Sequence, residues 1–372
     1  MKKLLIASAV SAALAAPAAA LAQARVPTLG QVLDASGISV NGYIDAGYNW
    51  ANRNIQNVPP GFSDRVFDSQ NNSFGLHQFG LTVSKLPKEG FGGLVNLTVG
   101  SDAQVIHSFP ETTATTSSMF DMTQAYGQYS SGALSLIAGK FTTLAGTEVI
   151  ASSGNTTISR SILFGAIPFT HTGVRASYAP TDTVTIYGGL NNGWDQLTDA
   201  NRNKTLEIGT TLNPAKPLTI TISGYFGDDG ANPPGTQPNT AQGERQLIDA
   251  VANYIVSNSL SFGAEILDFS QDRPVGGSAK YSGFALYGTY MLNSKWRGVV
   301  RGEQFNDKNG FHFGTNDTKY SEVTLTLSYL PTSNTELRTE VRTDKATNAV
   351  FNDTSGTSKT LTSFGLQGVY KF

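Results

Sequence analysis

From residue 38 to its end the chain repeats one cycle: an alternating segment, a tight turn, another alternating segment, then a long connection. Sixteen such segments can be marked out, the first at 38–50 and the last at 358–372. Each has period two, so each sorts its side chains onto the two faces of a strand. In 203–213, Leu206, Ile208, Thr210 and Leu212 share one face, and Thr205, Glu207, Gly209 and Thr211 share the other. In 319–330, Val323, Leu325, Leu327 and Tyr329 oppose Glu322, Thr324, Thr326 and Ser328. The connections are sorted too. Pro87–Gly90, Ser131-Gly132, Ala179–Asp182 and Asn213–Lys216 are tight, whereas 51–71, 105–118, 142–168 and 228–243 are long. A soluble sandwich has no reason to put its long loops at every second connection. A transmembrane antiparallel β-barrel has one, because its short turns and long loops emerge on opposite sides of a membrane. The pattern predicts an all-β barrel of about 16 strands, with short periplasmic turns and long extracellular loops.

Composition fits a wall with one apolar and one polar face. Charged residues make up 15 % of the chain, against about 25 % in soluble domains. No stretch beyond the N-terminus approaches the ~18 apolar residues of a membrane helix. Cysteine is absent, so no disulfide framework holds the chain. A formal charge of −2 argues against a nucleic-acid partner. Residues 1–22 read as a cleaved export signal peptide, with Lys2 and Lys3, the apolar run Leu4–Leu14 and the small-residue site Ala20-Leu21-Ala22. Residues 23–372 are then a single outer-membrane β-barrel. Tyr129, Tyr178, Tyr254, Tyr290, Tyr329 and Tyr370, with Trp296, fall on apolar faces near the tight turns. Amphipathic rings suit the headgroup level there, as a membrane girdle. Trp50 and Trp194 are expected to mark the opposite rim.

The chain ends Leu366-Gln367-Gly368-Val369-Tyr370-Lys371-Phe372, a terminal phenylalanine preceded by alternate apolar or aromatic residues. This resembles the assembly signal of bacterial outer-membrane barrels, with Phe372 as its last residue. Gly139-Lys140-Phe141 and Pro168-Phe169-Thr170-His171-Thr172-Gly173 flank a long insert. The whole mature chain is similar to the OmpL-like β-barrel porins and, in plan, to the general sixteen-stranded porins. The acidic Pro-Glu-Phe-Gly signature of the general porins' constriction loop has no counterpart here. The resemblance implies a place in the cell outer membrane and a passive diffusion channel for small hydrophilic solutes or ions, working without cofactors as a homotrimer. It implies as partners the outer-membrane lipids and lipopolysaccharide, the barrel-assembly machinery acting on the C-terminal strand, and small polar solutes.

A barrel this wide encloses water unless something fills it. The long third loop, 142–168, is the candidate constriction. It exceeds the roughly 12–15 residues beyond which a structureless connection is usually functional. It carries Ile150, Ile158, Ile162, Leu163, Phe164 and Ile167, too apolar a set to hang in water. It is therefore expected to fold inward or to pack on a neighbouring subunit; capping the barrel or pairing as an extra hairpin are the alternatives. Folded inward, it would turn Glu148, Asn155 and Arg160 toward the channel. Strand alternation sends Lys140, Arg175, Arg297, Arg301, Glu303, Glu336, Arg338, Glu340 and Arg342 inward as well, since a charge facing lipid costs several kcal/mol. These charges make either a transverse field that sorts solutes or a self-neutralising ladder. No nucleophile elbow, phosphate loop or zinc-protease motif occurs. The four histidines are scattered, so no metal site and no enzymatic activity are expected. Two other functions stay open: a filled barrel serving as a surface or adhesive protein, and an outer-membrane enzyme.

Overall fold

The structure is a computed structural model. It describes residues 27–53, 65–109, 118–199, 201–228, 243–272, 277–315, 317–353 and 356–372. The signal peptide expected at 1–22 lies outside the described residues.

Residues 27–39 belong to a separate N-terminal unit with one helix, α1 (Leu29–Ser36). Thr28 and Gln31 cap its start reciprocally, and Gly37 closes it at φ 68°.

Sixteen strands close into a barrel. They are β1 (Ser39–Ala51), β2 (Ser73–Lys85), β3 (Gly90–Val99), β4 (Phe120–Ser131), β5 (Leu134–Thr142), β6 (Thr170–Thr181), β7 (Val184–Asn191) and β8 (Thr205–Ala215). The ring continues through β9 (Leu218–Asp228), β10 (Glu244–Ile255), β11 (Leu260–Asp272), β12 (Ser278–Asn293), β13 (Trp296–Asp307), β14 (Thr318–Thr332), β15 (Thr335–Ala346) and β18 (Thr360–Lys371). The short strands β16 (Phe351–Asp353) and β17 (Gly356–Ser358) pair with each other in the last long connection, outside the ring. β18 pairs antiparallel with both β15 and β1, and so shuts the barrel, with Tyr48 opposite Leu366. Closure leaves no sheet edge unpaired, which a lipid-embedded sheet requires.

The period-two pattern explains the wall. Ile186, Leu190, Ile208, Ile248, Ile266, Leu286, Val323 and Leu325 all point out and are exposed. An apolar belt of this extent is unstable against water and suited to hydrocarbon. Tyr129, Tyr178, Tyr254, Tyr290, Trp296 and Tyr370 lie exposed near the short turns, and Trp296 packs on Tyr329 with ring centroids 4.9 Å apart. Trp194 departs from expectation. It is only 3 % exposed, lies 5.6 Å from Phe269 and carries the Arg245 guanidinium 4.9 Å above its ring. The connection that bears it folds against the inward face of β10 and β11 instead of ending at the rim.

Inside, the long-loop half of the barrel holds a core of the kind found in soluble proteins. Wall residues Tyr225, Leu247, Leu267, Phe269, Tyr281 and Phe305 pack with Ile162, Leu163 and Ile167 of the third long connection and with Phe313 of the seventh. Each fully buried aliphatic side chain here contributes about 2 kcal/mol.

Candidate functional site

The third long connection, L3, runs from 143 to 169 and forms no extra hairpin. It holds a short turn at Ser152–Gly154 and one turn of helix, α3 (Ile162–Gly165). Its root bends at Gly146, where φ is 91° and an added Cβ would meet Ile167 Cδ1 at 2.5 Å. Only glycine satisfies both the left-handed backbone and that close approach. The six apolar residues Ile150, Ile158, Ile162, Leu163, Phe164 and Ile167 are all buried. L3 therefore lies within the lumen, against the inward faces of the wall.

The wall holds L3 mainly by its backbone. The Glu340 carboxylate accepts from Ile158 N at 2.6 Å and Ser159 N at 2.9 Å. Glu303 accepts from Ile162 N at 2.8 Å, at the start of α3, and Ser161 caps the same turn. Arg338 donates to the carbonyls of Asn155 at 2.6 Å, Thr157 at 3.1 Å and Ser152 at 3.2 Å. Arg342 donates to Arg160 O at 2.5 Å, and the Tyr281 hydroxyl to Ala166 O at 2.6 Å. On the far side Gln78 Nε2 donates to Ile150 O, and Gln78 Oε1 accepts from Ser152 N, both at 3.0 Å. The alternating Glu and Arg of β13 and β15 thus form a docking strip. Carboxylates take the loop's N–H groups and guanidiniums take its carbonyls, which satisfies both sets of buried polar groups.

The strip is also internally neutralised. Arg301 pairs with Glu322, and with Glu148 of L3 at 2.8 Å. Glu336 pairs with Arg297, and with Arg338 at 2.7 Å. Arg342 pairs with Asp344 at 2.6 Å. Elsewhere Lys140 lies 3.3 Å from Asp121, and Arg175 pairs with Glu207 while its guanidinium covers the Phe141 ring at 4.3 Å.

Glu148, Asn155 and Arg160 are largely buried, contrary to the sequence expectation, and of the three Glu148 borders the cavity beside L3. They are 7 %, 7 % and 2 % exposed and bind the loop to itself and to the wall. Asn155 bridges the carbonyls of Val149 and Ala151, each at 2.8 Å; Arg160 donates to Val149 O, Ile150 O and Ile158 O; Glu148 accepts from Ser161 N at 2.6 Å. Arg301, Glu303, Arg338, Glu340 and Arg342 face inward but are covered by L3. Their burial follows from the loop's apolar face, which drags its backbone onto the wall and needs polar partners there.

What remains open is mostly uncharged, with Glu148 and Lys371 as its charged borders. A cavity of about 500 Å³ lies between L3 and the β1–β5 side of the barrel, lined in part by Asn41, Thr82, Asn96, Thr123, Gln124 and Thr142. Thr211 and Thr221, partly exposed on β8 and β9, share a hydrogen bond of 3.1 Å. Sequence reasoning placed such hydroxyls on the inward face but assigned them no role. It also missed Arg65, which reaches from the first long connection to Asp68 at 2.5 Å and Asp344 at 2.6 Å. Strand periodicity says nothing about a loop residue, so no sequence signal marked it.

A closed sixteen-stranded ring, a lipid-facing apolar belt and a polar lumen crossed by a folded loop define an outer-membrane β-barrel porin. Residues 37–372 match the model of the family described as Putative beta-barrel porin-2, OmpL-like, and the chain belongs to that family. Its fold is similar to that of the outer membrane channel DcaP of Acinetobacter baumannii, with TM-score 0.62 and 13 % identity over 90 % of this chain and 97 % of that one. It is likewise similar to an anion-selective porin from Comamonas acidovorans, with TM-score 0.59 and 11 % identity over 90 % and 99 %. A trimer form of OmpT from Vibrio cholerae gives TM-score 0.60 and 11 % identity over 90 % and 99 %. No curated protein matches the chain.

Proposed function

We propose that this porin is a passive pore for small hydrophilic solutes, narrowed by L3 and weak in its preference between anions and cations. The observation that carries this is the docking strip. L3 uses the wall's charged residues to hold itself in place and leaves the about 500 Å³ cavity beside it bordered by hydroxyls, amides and apolar side chains, with Glu148 and Lys371 as its charged residues. The hydroxyls and amides exchange hydrogen bonds with water and with polar solutes of either charge. The chain is exported by a leader at 1–22 and folded into the outer membrane by the assembly machinery reading the strand that ends at Phe372. Its long loops face outward among lipopolysaccharide, and its short turns face the periplasm. It works as a homotrimer, a reading supported by the trimer form of the similar OmpT.

A second reading has an observation of its own. The aromatic core in the long-loop half suits a filled barrel whose loops serve as a surface protein. Planar-bilayer recording of the refolded barrel separates the two. The pore gives stepwise conductance, and deleting 146–164 increases the step. A folded barrel that stays silent would overturn the pore and favour the surface protein; an unchanged step after the deletion would remove L3 as the constriction.

A further inference from the structure

Glu303 and Glu340 dock L3 with both of their carboxylate oxygens. Asp249 and Glu265 do not. Asp249 on β10 stands opposite Leu267, and Glu265 on β11 stands opposite Val251, so the two carboxylates are diagonal neighbours on the inward face. Diagonal pairs lie about 7–8 Å apart at Cα, within reach of long side chains. They are 1 % and 2 % exposed. L3 takes one oxygen of each, with Gly146 N donating to Asp249 Oδ1 at 2.9 Å and Thr147 N to Glu265 Oε2 at 2.8 Å. The remaining oxygens, Asp249 Oδ2 and Glu265 Oε1, have no hydrogen-bond partner. Among the described residues neither acid has an arginine or lysine partner, whereas Glu148, Glu207, Glu322 and Glu336 each have one.

Two hydroxyls are unpartnered at the same place. Ser223 of β9 stands directly across the strand register from Asp249; it is 2 % exposed and its Oγ bonds to nothing. Thr147 Oγ1, beside the backbone N–H that binds Glu265, also lacks a partner. Three adjacent strands and the root of L3 thus carry, on neighbouring residues, four buried oxygens without a hydrogen-bond partner, two of them on carboxylates.

Two neighbouring buried carboxylates without a counter-charge are strongly unfavourable. The donor set selects what relieves them. It is all oxygen, with two carboxylates and no imidazole or thiolate, which suits a hard divalent cation and not zinc. Calcium accepts six to eight oxygens at about 2.3–2.6 Å in flexible geometry, so water can complete the shell; magnesium demands a near-ideal octahedron and gives up its waters reluctantly. We propose that Asp249, Glu265, Ser223 and Thr147 form a calcium site that ties the root of L3 to the wall. Gly146, whose N–H binds Asp249, also lines the lumen cavity, which gives the ion a route in.

The test uses the full barrel refolded in detergent, free of lipopolysaccharide and stripped with EDTA. Calcium binding is measured by titration calorimetry, and thermal unfolding is followed with calcium, magnesium or sodium chloride added. The wild type is expected to bind calcium in a one-to-one ratio and to unfold several degrees higher with calcium than with magnesium at equal concentration. Asp249→Asn/Glu265→Gln is expected to lose both effects. If that double variant does not fold, Ser223→Ala, which deletes a ligand but no charge, should weaken calcium binding several-fold. Absence of calcium binding to the wild type, or equal binding to the folded variants, overturns the proposal. So does a stabilisation by acid alone with no response to calcium, since the two acids would then share a proton. Neither readout requires conductance, so a silent channel would leave this result standing.

Discussion

Arg301 is fully buried on β13, between Glu322 of β14 and Glu148 of L3, and it also donates to Ser159 O at 2.9 Å. Removing its guanidinium leaves Glu148 without its counter-charge and Glu322 with only Arg342, at 4.0 Å. Loss of one member of such a buried set costs about 3–5 kcal/mol. Arg301→Ala is therefore expected to lower the unfolding midpoint and to open L3 to protease. Arg301→Lys should recover only part of the loss, because an ammonium supplies the charge without the planar fork. Equal midpoints for wild type and Arg301→Ala would count against this junction. Alternation alone placed Arg301, Glu303, Arg338, Glu340 and Arg342 on the inward face. It did not reveal that their partners are the carbonyls and N–H groups of L3. A backbone donor or acceptor leaves no mark in the residue sequence, so the strip read equally well as a pore lining. Glu148, Asn155 and Arg160 misled for the same reason.

Among the elements, strands announced themselves and short helices did not. A strand of a dozen residues repeats its period several times; α2 (Ala103–Ile106) and α3 have four residues each, about one turn and too short for a periodic signal. Yet α2 anchors the second long connection. It begins after Gly100, at φ 136°, where an added Cβ would lie 2.2 Å from His77 O. Its first residues follow Asp102, whose carboxylate accepts from Gln78 Nε2 at 2.8 Å. Gln78 is the residue that also holds Ile150 and Ser152 of L3, so Asp102 couples one inward loop to the other. Burial pushes the Asp102 carboxyl up to about 7, although His77 and Arg160 pull it back. In the unfolded chain it titrates at about 3.9. Between those values the unfolded state has released the proton and the folded state keeps it, so stability falls as pH rises from about 4 to about 7 and levels off above. Asp102→Asn removes this slope. Unfolding midpoints measured across that range should converge with the wild type's in acid and exceed them at neutral pH. Parallel curves would show that Asp102 is not the group responsible.

For the molecule as a whole, the distribution of charge decides how the pore treats ions. The chain carries 26 basic and 28 acidic side chains, and near balance by itself says nothing about the lumen. What matters is which charges remain in contact with channel water. Along the inward wall, the partly exposed Arg175 and Arg297 are paired with Glu207 and Glu336, so each presents a dipole to the lumen and little net field. The charges of the docking strip lie beneath L3, and fields between paired groups decay within about 8 Å at physiological salt. Lys371 is the exception: it is exposed, borders the lumen cavity and makes no ion pair among the described residues. One cation at the short-turn end gives a weak pull on anions. Under a tenfold gradient of KCl an ideally selective pore reverses at about 59 mV. This pore is expected to reverse much nearer zero, on the anion side, and Lys371→Gln should bring it closer still. A reversal near the ideal limit of either sign would mean that charges now paired in the docking strip face the open channel, and that L3 does not lie where it shields them.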